Sequence, residues 1–236
     1  MIIRFFAALT LALALPLGGQ AKTMQAVYEG TVQGGTDQGG VFGLGPDAAL
    51  GGLAFTLTSV FDTSVGLRET GFDELGFHDQ LTGGAWNGLA DPYRFARLTI
   101  NGVSHAIGTG NTSLTSLARD DRRGLTWFYQ DLSGVTSGNP ATGSYAGGWV
   151  NMLLAAVEIH PDLDTGRTLA LLDPAGGSFE VFSHDPATGI KDRAFGYLEV
   201  ESFRLAAVPL PASGLLLLVS LAGAGMLRRR RVGLGD

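Results

Sequence analysis

The chain has 236 residues, 45% hydrophobic and 16% charged, with 36 glycines, no cysteine and only two lysines. That much glycine with so little charge excludes a coiled coil, a helical bundle and an acidic disordered tail, and the missing cysteine excludes a disulfide framework and a thiolate zinc site. Between residues 22 and 212 there are 11 basic and 21 acidic side chains, a formal charge of about −10 that disfavours nucleic acid and anionic lipid as partners.

At the N-terminus Arg4 precedes an apolar run from Phe5 to Leu15, which Pro16 breaks before the small residues leading to Ala21. This predicts a secretory signal peptide, residues 1–21, cut between Ala21 and Lys22, with the secretory translocon and signal peptidase as its partners. The run is too short for a membrane helix, which needs about 17 residues or more.

The body, residues 22–207, reads as short apolar alternations punctuated by glycine, aspartate and asparagine. This is the pattern of an all-β fold, here a single antiparallel β-sandwich, jelly-roll-like, without an internal domain boundary. A first strand is expected over Met24–Val32. The segment from Gly30 to Gly52, nine glycines in 23 residues, is expected to form a long loop. Leu53, Phe55 and Leu57 alternate with Ala54, Thr56 and Thr58, and Ala96, Leu98 and Ile100 with Arg97 and Thr99, so each set turns one face inward. Between Ile100 and Val103, Asn101-Gly102 predicts a two-residue hairpin turn, since both residues tolerate positive φ. Further strands are expected over Leu125–Leu132, Ser178–Phe182 and Phe195–Leu205, with Glu199 and Glu201 facing outward. Trp149–Ile159, whose eleven mostly apolar residues fit either a buried strand or a short helix, is read as a strand.

Candidate chemistry within the body is sparse. No nucleophile elbow, zinc-protease motif, phosphate loop or dinucleotide fingerprint occurs, and no catalytic, cofactor-binding or metal-ligating residue is assigned. His78, His105, His160 and His184, three of them near an aspartate, could in principle assemble a metal or acid-base cluster. Each is expected instead in a turn. Asp162-Leu163-Asp164-Thr165-Gly166 has the carboxylate spacing that opens a calcium loop, but the later ligands are missing and Arg167 intrudes. A plain hairpin turn between Leu154–Ile159 and Thr168–Leu172 is the expectation. Glu158 with Glu180, or Asp73 with Glu74, would be nominal glycosidase pairs, a matter that spatial separation decides. Arg119 to Arg123 reads as a solvated charged turn. Trp86, Trp127, Phe128, Tyr129, Tyr145 and Trp149 could form a sugar-stacking face. Alternation sets Trp127 and Tyr129 against Phe128, so at least one set belongs in the core.

At the C-terminus Val208-Pro209-Leu210-Pro211-Ala212 precedes an apolar segment, and Arg228, Arg229, Arg230 and Arg231 follow it. Prolines make the pentapeptide extended and accessible. Leu210 to Leu227 would span about 27 Å as a helix, enough for a thin hydrocarbon core. The arginines hold their end in the cytoplasm, which leaves the body outside, as the signal peptide also requires.

Pentapeptide, helix and arginines in this order resemble the PEP-CTERM class of sorting signals, in its VPLPA variant, found on exported proteins of Gram-negative bacteria. Leu210 stands where the commoner form has glutamate. The body is similar to others that carry this signal, through Tyr28-Glu29-Gly30-Thr31-Val32, Asp37, Phe42-Gly43 and Phe55-Thr56-Leu57 at its start and Gly196–Phe203 at its end. The resemblance implies transient anchoring in the inner membrane, processing by an exosortase-like membrane enzyme within 208–236, and a mature protein at the cell surface or in an exopolysaccharide matrix. It implies no catalysis and no cofactor. The alternative expectation is a secreted carbohydrate-binding or carbohydrate-active protein.

Overall fold

The computed structural model describes residues 23–73, 76–84, 88–108, 111–119, 125–138, 143–157 and 163–208. The signal peptide, the helix expected over Leu210–Leu227 and the arginines Arg228–Arg231 lie outside the described residues.

All the described elements are strands, in the order β1 (Thr23–Asp37), β2 (Ala48–Ala49), β3 (Ala54–Asp62), β4 (Leu67–Asp73), β5 (Gly76–Gly84), β6 (Tyr93–Ile100), β7 (Val103–Ile107), β8 (Asn111–Arg119), β9 (Leu125–Gly138), β10 (Tyr145–Val157), β11 (Arg167–Leu169), β12 (Leu171–Asp185) and β13 (Gly189–Ala207). They join into one antiparallel sheet in the order β4-β5-β8-β9-β10-β12-β13-β1-β3-β6-β7, with β2 beside β1 and β11 beside β13. The fold is therefore all-β, built on a large antiparallel sheet.

The sheet bends back on itself, because amphipathic strands of this length must bury one face. Gln130 on β9 reaches Ser59 on β3 and Tyr93 on β6 across the interior, at 2.8 and 2.7 Å. Phe128 on β9 packs against Phe203 on β13 with ring centroids 4.8 Å apart. Phe55, Leu57, Leu98, Ile100, Val150 and Met152 fill the buried face between them. The expected alternations in β3 and β6 are thus observed. The Asn101-Gly102 turn also forms, with φ of 52° and 76°, and joins β6 to β7.

The stretch from Trp149 is a strand, part of β10, with Val150, Met152 and Leu154 inward. The first strand differs from expectation: it continues through Gly30, Gly34 and Gly35 to Asp37. The glycines there do not loosen the chain. They lie at irregularities of the β1–β13 ladder, where a side chain at Gly30 would collide with the Glu199 carbonyl and one at Gly35 with that of Phe195. The loop begins only after Asp37. The buried Asp37 carboxylate accepts the backbone N–H groups of Val41 (2.6 Å) and Phe42 (2.7 Å) and so tucks Phe42 into the core.

Candidate functional site

The histidines do not converge. His78 lies in β5, His105 in β7 and His184 in β12, within strands rather than in the expected turns, and His160 lies outside the described residues. His105 Nε2 is 2.7 Å from the Val41 carbonyl and its ring meets Phe42 edge-on, while His184 stacks on Tyr145 at 5.0 Å. His105 and His184 thus each pack against a neighbouring aromatic ring, which suits them to strand positions. Among the described residues no group of three or more histidine or carboxylate side chains could hold a metal ion.

The segment that resembles a calcium loop is a structural strap. Asp162 lies outside the described residues, but Leu163 is fully buried and Asp164 is engaged by Thr63 and Arg68 among the described residues. Its Oδ1 accepts the Thr63 hydroxyl at 2.5 Å and its Oδ2 receives Arg68 Nη1 at 2.7 Å. The same guanidinium grips Asp79 through two bonds, Nε to Oδ1 at 2.9 Å and Nη2 to Oδ2 at 2.7 Å, and Asp79 also accepts the Leu163 N–H at 2.9 Å. This planar fork is the geometry at which arginine binds carboxylate best. The hydrogen bonds that Arg68 donates to Asp79 raise its pKa above the ordinary value, against the effect of burial. The strap does not close the simple hairpin expected: Arg167–Leu169 forms β11 against β13, and only Leu171 and Leu172 return to pair with β10.

Each nominal glycosidase pair has one member outside the described residues. Glu158 and Glu74 lie outside them, as does Trp86, and of the charged run 119–123 only Arg119 is placed, at the end of β8. Glu180 on β12 is held by Trp149 Nε1 at 3.2 Å and by Arg193 Nε at 2.9 Å.

The aromatic side chains sort by strand alternation. Phe128 faces inward, while Trp127, Tyr129 and Trp149 take the outer face. Registers across β9, β10, β12 and β13 set Ser133, Trp149, Glu180 and Phe195 in one row and Asp131, Asn151, Ser178 and Tyr197 in the next. Asn151 donates to the Tyr129 hydroxyl at 2.7 Å, and that hydroxyl donates to Asp131 at 3.3 Å. Partial burial raises the Asp131 carboxyl above its ordinary pKa. Arg193 lies over the Phe195 ring at 4.6 Å, and Tyr197 is 65% exposed.

Beside Tyr197 the sheet splits. β12 pairs with β13 only from Gly176 opposite Glu199 onward, and β11 takes over at Leu169 opposite Phe203. Residues 171–172 turn away to β10, so no described strand pairs with Val200, Glu201 or Ser202 on that side. The split leaves a groove of about 370 Å³, lined among others by Gln33, Gly176, Gly177, Tyr197, Glu199 and Glu201. Sequence reasoning identified Glu199 and Glu201 as outward-facing but missed Tyr197 and the groove, since the split is decided by which strand captures residues 171–172. A larger depression between the 38–46 loop and the β12–β13 turn has its cations engaged, Lys191 by Asp185 and Arg193 by Glu180. No known family, curated protein or solved structure matches this chain.

Proposed function

We propose that this chain is an exported cell-surface or matrix protein without catalytic activity of its own, its body a jelly-roll-like sandwich. Residues 1–21 direct export and are removed between Ala21 and Lys22. Residues 208–236 hold the precursor in the inner membrane until an exosortase-like enzyme acts near Val208, Pro209, Leu210, Pro211 and Ala212. The observation that carries this reading is the meeting of the body's two ends. Met24 pairs with Ala207, and the Val208 N–H donates to the Thr23 carbonyl at 2.8 Å. The folded body therefore starts and stops at one place, and the pentapeptide begins where the sheet ends. A cut there would cost the body none of its core. The same adjacency lets one membrane-proximal end serve both the incoming signal peptide and the outgoing helix.

The test is the intact mass of the mature protein from an exosortase-bearing host. The expected mass lacks residues 1–21 and the arginines Arg228–Arg231. A secreted form that retains those arginines overturns the reading.

A second reading, a carbohydrate-binding secreted protein, is favoured by the outer face of β9, β10, β12 and β13, where aromatic rings alternate with amide and carboxylate groups. Binding is favoured over hydrolysis there. Glu199 and Glu201 sit two apart on one strand and on one wall of the groove, whereas a glycosidase brackets the bond with carboxyls from opposite sides. Exopolysaccharide is the partner class this reading shares with the first.

A further inference from the structure

We propose that the groove at the split between β12 and β13 is a binding site for a neutral, unbranched polysaccharide, with the Tyr197 ring as its stacking platform. The inference rests on the carbohydrate-binding reading and deepens it by naming the site and the charge class of its ligand.

Three features of the groove point to a sugar. First, Tyr197 is 65% exposed on a strand whose inward neighbours Gly196 and Leu198 are buried, so the ring projects from a rigid base. An aromatic face held this way offers apolar area to the axial C–H face of a pyranose at little entropic cost, and its hydroxyl stays available for hydrogen bonding. Second, the rim supplies acceptors and a donor in the pattern that ring hydroxyls need. Glu199 and Glu201 accept, and the Gln33 amide, whose Nε2 lies 3.4 Å from Glu199 Oε2, supplies both. Third, the lining is mixed, with Leu171, Leu172 and Ala175 supplying apolar surface beside the polar groups, and a volume of about 370 Å³ lies within the usual range for small-ligand sites. Gly177 is fixed by packing, since a side chain there would collide with the Asn151 carbonyl.

The electrostatics select the class of polymer. Among the described residues no arginine or lysine bonds to the two groove glutamates, in a body of net charge about −10, so an anionic chain is repelled. The free side of β13 could in principle capture a peptide strand. However, the unpaired stretch is only Val200–Ser202, closed at its ends by β11 and β12, too short for an added strand. Beyond the groove the outer face continues through Phe195 and Trp149, in the next row of the sheet, so a polymer longer than the groove meets further rings.

The test uses the full-length chain, produced with its own signal in an exporting bacterium and purified in detergent. It is run on native affinity gels cast with mixed-linkage β-glucan, with hydroxyethylcellulose or with alginate. The expected result is retardation by the neutral polymers and none by alginate. Tyr197→Ala is expected to weaken the affinity by about ten-fold or more, and Tyr197→Phe to restore most of it. Phe72→Ala, which removes another exposed ring on the distant β4–β5 hairpin, should change nothing. Retardation that survives Tyr197→Ala overturns the groove and leaves the carbohydrate reading standing. Absence of retardation by either neutral polymer overturns both, and retardation by alginate equal to that by the neutral polymers overturns the charge selectivity.

Discussion

The strap at β4–β5 and the groove at β12–β13 are both polar sites on one sheet, yet they end in opposite states. In the strap every carboxylate oxygen of Asp79 and Asp164 has a donor from Arg68, Thr63 or Leu163. In the groove Glu199 and Glu201 face solvent beside an exposed ring. The difference lies in burial. Asp79 sits at 1% exposure, where an unpaired charge would be prohibitive, so folding had to bring a cation to it. The groove glutamates remain exposed and needed no cation. A constellation that looks like a metal site from its residue types is thus consumed by structure, and one that looks ordinary stays open for a ligand.

The comparison breaks most sharply at Asp79. Asp79→Ala should lower unfolding stability by about 3 kcal/mol in denaturant titrations, because the Arg68 charge loses its bidentate carboxylate partner and the Leu163 N–H loses its acceptor. The double replacement Arg68→Met with Asp79→Leu should recover only part of that loss, because it removes the stranded cation but leaves the Leu163 N–H without its Asp79 acceptor and Asp164 without Arg68. A loss under about 1 kcal/mol for Asp79→Ala would mean the strap is not a structural clamp.

A smaller effect is expected at Asp62, at the end of β3. Burial alone would raise its pKa, but the hydrogen bonds from Ser64 and Arg94 outweigh it and hold the carboxyl below the ordinary value of 3.8. The folded pKa is the lower one, so the stabilisation is present above the ordinary value and disappears as pH falls through the folded one. Asp62→Asn should flatten the stability profile in that acid window and leave its shape near neutral pH alone. An unchanged acid limb would place the acid sensitivity elsewhere.

The smallest effect is expected in the groove. Tyr197→Ala should change unfolding stability by no more than about 0.5 kcal/mol, since most of the side chain is already in water. A large loss would make Tyr197 a packing residue and erase the contrast with the strap.

Much of the fold was legible wherever local chemistry and burial agree. The alternations of Phe55 and Leu57 and of Leu98 and Ile100, the Asn101-Gly102 turn and the placing of Phe128 against Tyr129 all depend on neighbours one or two residues away. The misread segments depend on partners far along the chain. Gly30 and Gly35 look like loop residues until β13 crowds them, and the hairpin expected after Ile159 becomes a strap because Asp164 finds Arg68 96 residues earlier.

The sequence by itself determined an all-β body with one apolar face per strand, its acidic charge, and the apolar and arginine-rich composition of the two ends, because periodicity, composition and charge are local properties of the chain. Only the tertiary structure decided that β1 and β13 lie side by side, that Asp79 and Asp164 share one arginine, and that the sheet parts beside Tyr197. Those outcomes are settled by competition among distant strands for the same backbone hydrogen bonds and the same buried volume.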